Sequence, residues 1–312
     1  MIRRKLFSSL SLAAVVVLAL SAWGCSGRET SGARRLTRHE ADKLLARQTV
    51  TEEEEPSNDP LRLEAHGDRL ALSGQWSGAL FQYNRALALA EDGQDKLELR
   101  SKMAKVYLKS GLWVQAEEVF SLLTAKRAED AEAWQGLGLA RLAQGKLDDV
   151  EDALTKALAL EAKLWPAHNG LGILYNWRGE PKKAVLAFGR ALELKPDSPA
   201  INNNLGLSFL IMGELDLAET CFKRALELAP DYRLAANNLG LVYARQNRRT
   251  EALRAFERSV GRARAHNNLG CLLFWQGRSL EAADEFKAAL KAMPLYYQLA
   301  SRHLTQVEDY LR

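Results

Sequence analysis

Cysteine is scarce in this 312-residue chain: Cys25, Cys221 and Cys271 are all it has. None sits in a CxxC pair, which removes a sequence-level case for a zinc knuckle or a dithiol redox site. Cys221 and Cys271 lie 50 residues apart in segments of helical pattern. They read as small buried hydrophobes rather than as a disulfide pair. There is no HExxH, no glycine-rich phosphate loop and no GxSxG, so the common signatures of metalloproteases, nucleotide enzymes and serine hydrolases are missing. The five histidines, His39, His66, His168, His266 and His303, are scattered, and His168 and His266 fall at the position that Trp134 holds one repeat earlier. Packing explains them better than catalysis or metal ligation. No run of lysine and arginine marks a phosphate-tracking stripe, which argues against nucleic acid as a partner. No catalytic residue, metal site, cofactor or small-molecule substrate is expected.

What the chain does contain is apolar surface, at 47% hydrophobic and 26% charged residues, enough for a sizeable core. One uninterrupted apolar run stands out, Leu12 to Leu20, behind a basic start of Arg3, Arg4 and Lys5 and ahead of Ser21-Ala22-Trp23-Gly24-Cys25. A cationic head, a short apolar region and small residues form an export signal. The end resembles a bacterial lipoprotein signal, in which the residue after cleavage is the cysteine that receives lipid. Gly24 fits that pattern, while Ala22 and Trp23 depart from it. The resemblance implies cleavage after residue 24, lipidation at Cys25 and, with Ser26 following, an outer-membrane protein facing the periplasm of the bacterial cell envelope. An uncleaved membrane anchor is the competing reading. Loss of Arg3, Arg4 and Lys5 with the leader takes the formal charge from +4 to +1. Residues 25–59 are polar and include Glu52-Glu53-Glu54-Glu55-Pro56, too poor in apolar groups to order themselves. They read as a tether with a coil span on the order of 30–35 Å.

From Pro60 onward the chain repeats. Leu-Gly pairs stand at 137–138, 171–172, 205–206, 239–240 and 269–270, separated by 34 residues and, in the last interval, by 30. Twelve residues after each glycine comes a small residue (Val150, Ala184, Ala218, Ala252, Ala282), and four later a bulky one (Leu154, Phe188, Phe222, Phe256, Phe286). Small residues at a fixed stride let two helices approach, and the bulky one fills the space beside the contact. Gly74, Gly111, Gly145, Gly179, Gly213, Asn247 and Gly277 recur between the helices, where a left-handed turn residue is needed. Pro196, Pro230 and Pro294 close three of the units.

This pattern resembles the tetratricopeptide repeat family, a 34-residue helix–turn–helix unit. The resemblance implies an all-α chain, a right-handed superhelix (α-solenoid) of about seven repeats: 60–96, 97–130, 131–164, 165–198, 199–232, 233–262 and 263–296, with residues 297–312 as a cap helix. The first two units are degenerate, His66 standing for leucine and Ala104 for glycine. The 233–262 unit is four residues short, which predicts a missing helical turn and an altered stacking angle.

One helix of successive units carries asparagines: Asn169, Asn203-Asn204, Asn237-Asn238 and Asn267-Asn268. Asparagine is a mediocre helix former, so its recurrence needs a reason. Either it bonds within the repeats, or it lines a concave groove and pairs with the backbone of a peptide or protein partner. Trp177 and Trp275, two turns further on, are equivalent positions that would anchor such a partner or pack between helices. Among envelope lipoproteins the whole chain resembles the TadD-type proteins of tight-adherence pilus systems and, next, the pilotins of secretins. That implies a non-enzymatic scaffold for assembling a pilus or secretion machine. The alternative is an adaptor delivering substrates to an envelope protease or peptidoglycan enzyme.

Overall fold

The computed structural model describes residues 59–91, 93–293 and 298–311. The leader with Cys25, the tether as far as Asn58, and Pro294 lie outside them. Fifteen α-helices and no strand are found among the described residues. By their contacts these residues form two units, one ending at Leu174 and one starting at Tyr175.

The first unit holds α1 (Pro60–Leu72), α2 (Trp76–Leu89), α3 (Gln94–Lys109), α4 (Trp113–Lys126), α5 (Ala131–Ala143), α6 (Val150–Leu160) and the greater part of α7 (Trp165–Trp177). Consecutive helices pack in antiparallel pairs. Helix starts are written locally. Pro60 takes the first position of α1, where its missing N–H is no loss, and Asp59 accepts from the Leu61 amide at 3.0 Å. Asp130 does the same for Ala133 at 2.9 Å. The degenerate repeats still close on a glycine or alanine facing a ring. A Cβ on Gly67 would stand 2.6 Å from Tyr83 Cε1, and Ala104 is fully buried beside Phe120 in one core cluster. Lys102 ties α3 to α1 by reaching Glu64 at 2.6 Å and Asp68 at 2.7 Å.

The second unit follows with the end of α7, then α8 (Pro181–Leu194), α9 (Pro199–Met212), α10 (Leu215–Leu228), α11 (Arg233–Arg245), α12 (Arg249–Val260), α13 (Arg262–Trp275), α14 (Ser279–Ala292) and α15 (Gln298–Leu311). One cluster runs through it, with Phe222, Phe256 and Phe286 each almost wholly buried. Each ring sits where a glycine sixteen residues earlier has no side chain. A Cβ on Gly206, Gly240 or Gly270 would meet that phenyl ring at 2.8, 2.6 and 2.7 Å.

All seven expected turn residues have φ between 60° and 82°, Asn247 being the one non-glycine among them. The short repeat differs from its expectation. Four residues, 229–232, join α10 to α11, but Gly261 alone joins α12 to α13. The deletion therefore comes mainly out of the linker, and α12 keeps 12 residues against 14 in α10. So tight a joint needs a special backbone: Gly261 has φ 81° and ψ 165°, a region that side chains exclude. No neighbouring atom lies within 4 Å of its missing Cβ. Gly261→Ala is thus expected to cost about 1–3 kcal/mol through the backbone alone. Gly189→Ala, in the middle of α8 with equally open surroundings, should instead gain up to about 1 kcal/mol. Thermal unfolding of the two variants checks this; equal shifts would refute the strain at Gly261.

Candidate protein-binding face

Residues four apart on a helix share a stripe. The first helix of each repeat in the second unit carries one such stripe: Asn203–Leu207–Ile211 on α9, Asn237–Leu241–Arg245 on α11 and Asn267–Cys271–Trp275 on α13. The asparagines at the head of these stripes are deeply placed, at 5%, 7% and 0% exposure.

Most of this amide chemistry is used inside the fold. Asn238 donates through Nδ2 to Asn203 Oδ1 at 2.9 Å, a buried rung between neighbouring repeats. It joins different columns of the pattern, 203 to 238, not 204 to 238. Asn202 donates to the Ser198 carbonyl at 2.9 Å. Ser208, fully buried, accepts from Asn176 Nδ2 at 2.9 Å and donates to the Asn204 carbonyl at 3.2 Å. Asn267 accepts from His303 Nδ1 at 2.9 Å, so its amide holds α15 in place instead of facing solvent. Asn169, in the first unit, and Asn204 and Asn268, in the second, are half-buried. For Asn237 and Asn268 the described residues supply no side-chain hydrogen-bond partner.

The two tryptophans are uncovered. Trp177 is 41% exposed at the end of α7 and Trp275 is 60% exposed at the end of α13. Two turns below Trp275 on its stripe lies buried Asn267; two turns below Arg245 on α11 lies Asn237. Large exposed indoles beside deep polar groups make a surface that can seat apolar side chains and pair with a peptide backbone.

Titratable groups elsewhere in the unit are built into the packing. Burial pushes the Cys221 thiol up to about 11, which makes it inert as a nucleophile. Cys271, His303 and Asn267 form a compact trio, yet both partners meet the same imidazole atom: Nδ1 is 3.5 Å from Cys271 Sγ and 2.9 Å from Asn267 Oδ1. Burial lowers the proton affinity of His303, so the neutral ring is favoured and no thiolate–imidazolium pair is set up. Glu285 is 1% exposed and accepts from Arg249 Nε at 2.5 Å and His266 Nδ1 at 2.6 Å. Sequence reading missed this triad, although its signal was present. The residue before the bulky one is Ala153, Ala187, Cys221 and Ala255 in the other repeats, and Glu285 is the odd member of that column. Among the described residues no cluster of three His, Cys, Asp or Glu could hold a metal ion, and no helix is long and apolar enough to cross a membrane.

Paired helices closing on small residues, stacked in order and with a side-chain face left open, define an α-solenoid of the protein-interaction scaffold class. Tetratricopeptide-repeat profiles match residues 70–140 and 197–265, so the chain carries tetratricopeptide repeats in both units. Comparison with curated proteins gives no match. Among solved structures, the chain resembles a thermophilic TPR protein of Thermus thermophilus at 26% identity, over 59% of this chain and 98% of that one, with a TM-score of 0.50. A tetratricopeptide repeat protein from Parabacteroides merdae matches at 14% identity over 81% of this chain and all 100% of its own, with a TM-score of 0.56. PilW, described as a widely conserved type IV pilus biogenesis factor, matches at 19% identity over 69% of this chain and 99% of its own, also with a TM-score of 0.56. At these last two identities the likeness is one of fold.

Proposed function

We propose that the chain is a lipid-anchored scaffold of the bacterial cell envelope that holds a protein partner on the second unit while a pilus or secretion machine is assembled. The observation that carries this is the exposure of Trp177 and Trp275, at equivalent positions of their repeats, with apolar area that nothing in the described structure covers. The leader supports the location: its apolar run, Leu12 to Leu20, is followed within five residues by Gly24-Cys25, so lipid on Cys25 would tether the repeats to a membrane surface. The size of the stack suits the role. PilW, of similar fold, is by its description a pilus biogenesis factor, and TadD-type and pilotin lipoproteins share the combination of lipid signal and helical repeats. Delivery of substrates to an envelope protease or peptidoglycan enzyme is the rival use of the same face.

Measurements on the anchor and on the binding face test it. Mass spectrometry of the mature protein should find a lipid-modified amino terminus at Cys25, and Cys25→Ala should release the protein from membranes. A photo-crosslinker placed at Trp275 in cells should trap a secretin or pilus component, whereas a trapped hydrolase would favour the adaptor. Trp177→Ala with Trp275→Ala should keep the helical spectrum and melting temperature, and weaken partner binding by about 2 kcal/mol or more. Undiminished binding by that pair would remove this face from the mechanism.

A further inference from the structure

Several arginines of the second unit pair with carboxylates. Arg248 reaches Glu219 at 2.7 Å and Glu251 at 2.5 Å. Arg278 reaches Glu281 at 2.6 Å. Arg249 holds Glu285. Arg245 differs. It is half-buried, and among the described residues its one partner is a neutral one, the Leu210 carbonyl, to which Nη1 donates at 3.1 Å. That carbonyl lies at the C-terminal end of α9, where the negative end of the helix dipole helps to hold a cation. This accounts for one of five N–H donors on the guanidinium. Burial lowers the Arg245 proton affinity, with no carboxylate to offset it.

Its position is as telling as its isolation. Arg245 shares a stripe with Asn237, two turns and about 12 Å away along α11. The next repeat brings Trp275 alongside, because Gln276 reaches back to the Ala244 carbonyl at 3.5 Å. The exposed indole, the lone guanidinium and the open amide therefore border one surface.

From this we infer that Arg245 is the specificity-determining residue of the binding face, and that the occupant is an extended peptide segment carrying an acidic side chain. The carboxylate would take the forked donors that Leu210 leaves open. A backbone group about three to four residues along the peptide would reach Asn237, since extended chain covers about 3.3–3.6 Å per residue. An adjacent apolar side chain would lie against Trp275. The inference rests on the binding face proposed above, and names what that face selects.

The experiment uses the full chain and three pools of nine-residue peptides, amidated at the C-terminus and random except for a central Glu, Gln or Lys. The Glu pool should bind the wild-type protein at least about tenfold more tightly than the Gln pool, and the Lys pool least. Arg245→Gln should abolish the Glu preference while leaving the weaker Gln-pool binding in place. Arg245→Lys, which keeps the charge but not the fork, should retain a preference of a few-fold and guards against a folding defect in the first variant. Equal binding of Glu and Gln pools by the wild type, or a Glu preference that survives Arg245→Gln, overturns the inference. So does binding seen only when the amide cap is replaced by a free carboxyl terminus. Charge-independent binding that is lost in Trp275→Ala would overturn it while sparing the face itself. Failure of every pool to bind would sink both.

Discussion

Phe256→Ala is expected to destabilise the second unit by about 3–5 kcal/mol. Phe256 has no exposed surface and its ring lies over Gly240, whose missing Cβ would be 2.6 Å from Cδ1. The ring cannot step aside, because the same cluster holds it on its other faces with Leu239, Tyr243 and Ala255 among its members. The informative measurement is a cycle. In the natural background Gly240→Ala should cost about 1–3 kcal/mol by overpacking. In the Phe256→Ala background the same change has room, and it should gain up to about 1 kcal/mol from better helix propensity. The effect of Gly240→Ala thus changes sign, which denaturant unfolding followed by circular dichroism can read. Additive effects would mean that glycine and ring do not define the helix contact.

Arg249→Met carries the other large expectation, a loss of about 3–5 kcal/mol. Arg249 sits on α12 and is 44% exposed, so its own removal loses little. What suffers is Glu285, held at 1% exposure on α14 and left with His266 alone. A buried carboxylate short of donors is costly, whereas removing both charges can be nearly neutral. Adding Glu285→Leu to Arg249→Met should therefore restore most of the lost stability. If the double variant melts no higher than the single one, the triad's role is packing and not charge compensation.

The repeat was legible because its determinants are local and repeated. A glycine, a small residue twelve further on and a bulky one four beyond that state which helices touch, and the left-handed turn at Asn247 is readable from the glycines in its column. The short repeat was located correctly but explained wrongly. Counting residues reveals a deletion of four, and cannot say whether helix or linker absorbs it; the backbone freedom of Gly261 decided for the linker. The sequence aligns the asparagines at equivalent positions of the repeats and does not say which of them meet. Stacked helices are staggered, so the hydrogen bond runs from Asn238 to Asn203. Nothing in the sequence pattern singles out Arg245. Its significance is the lack of a carboxylate, and pairing is a property of space that spacing along the chain does not carry.

The rungs between neighbours have an evolutionary consequence. Arrays of this sort grow and shrink by duplication of whole modules, which works best when every module meets its neighbour through the same generic surface. Here Asn203 needs Asn238 in the module after it, and Glu285 needs Arg249 in the module before. Excising residues 233–262 would strip both at once, leaving one amide and one buried carboxylate without their mates. The order of the modules is thereby fixed, and change in this half of the chain has to proceed by point substitution rather than by shuffling.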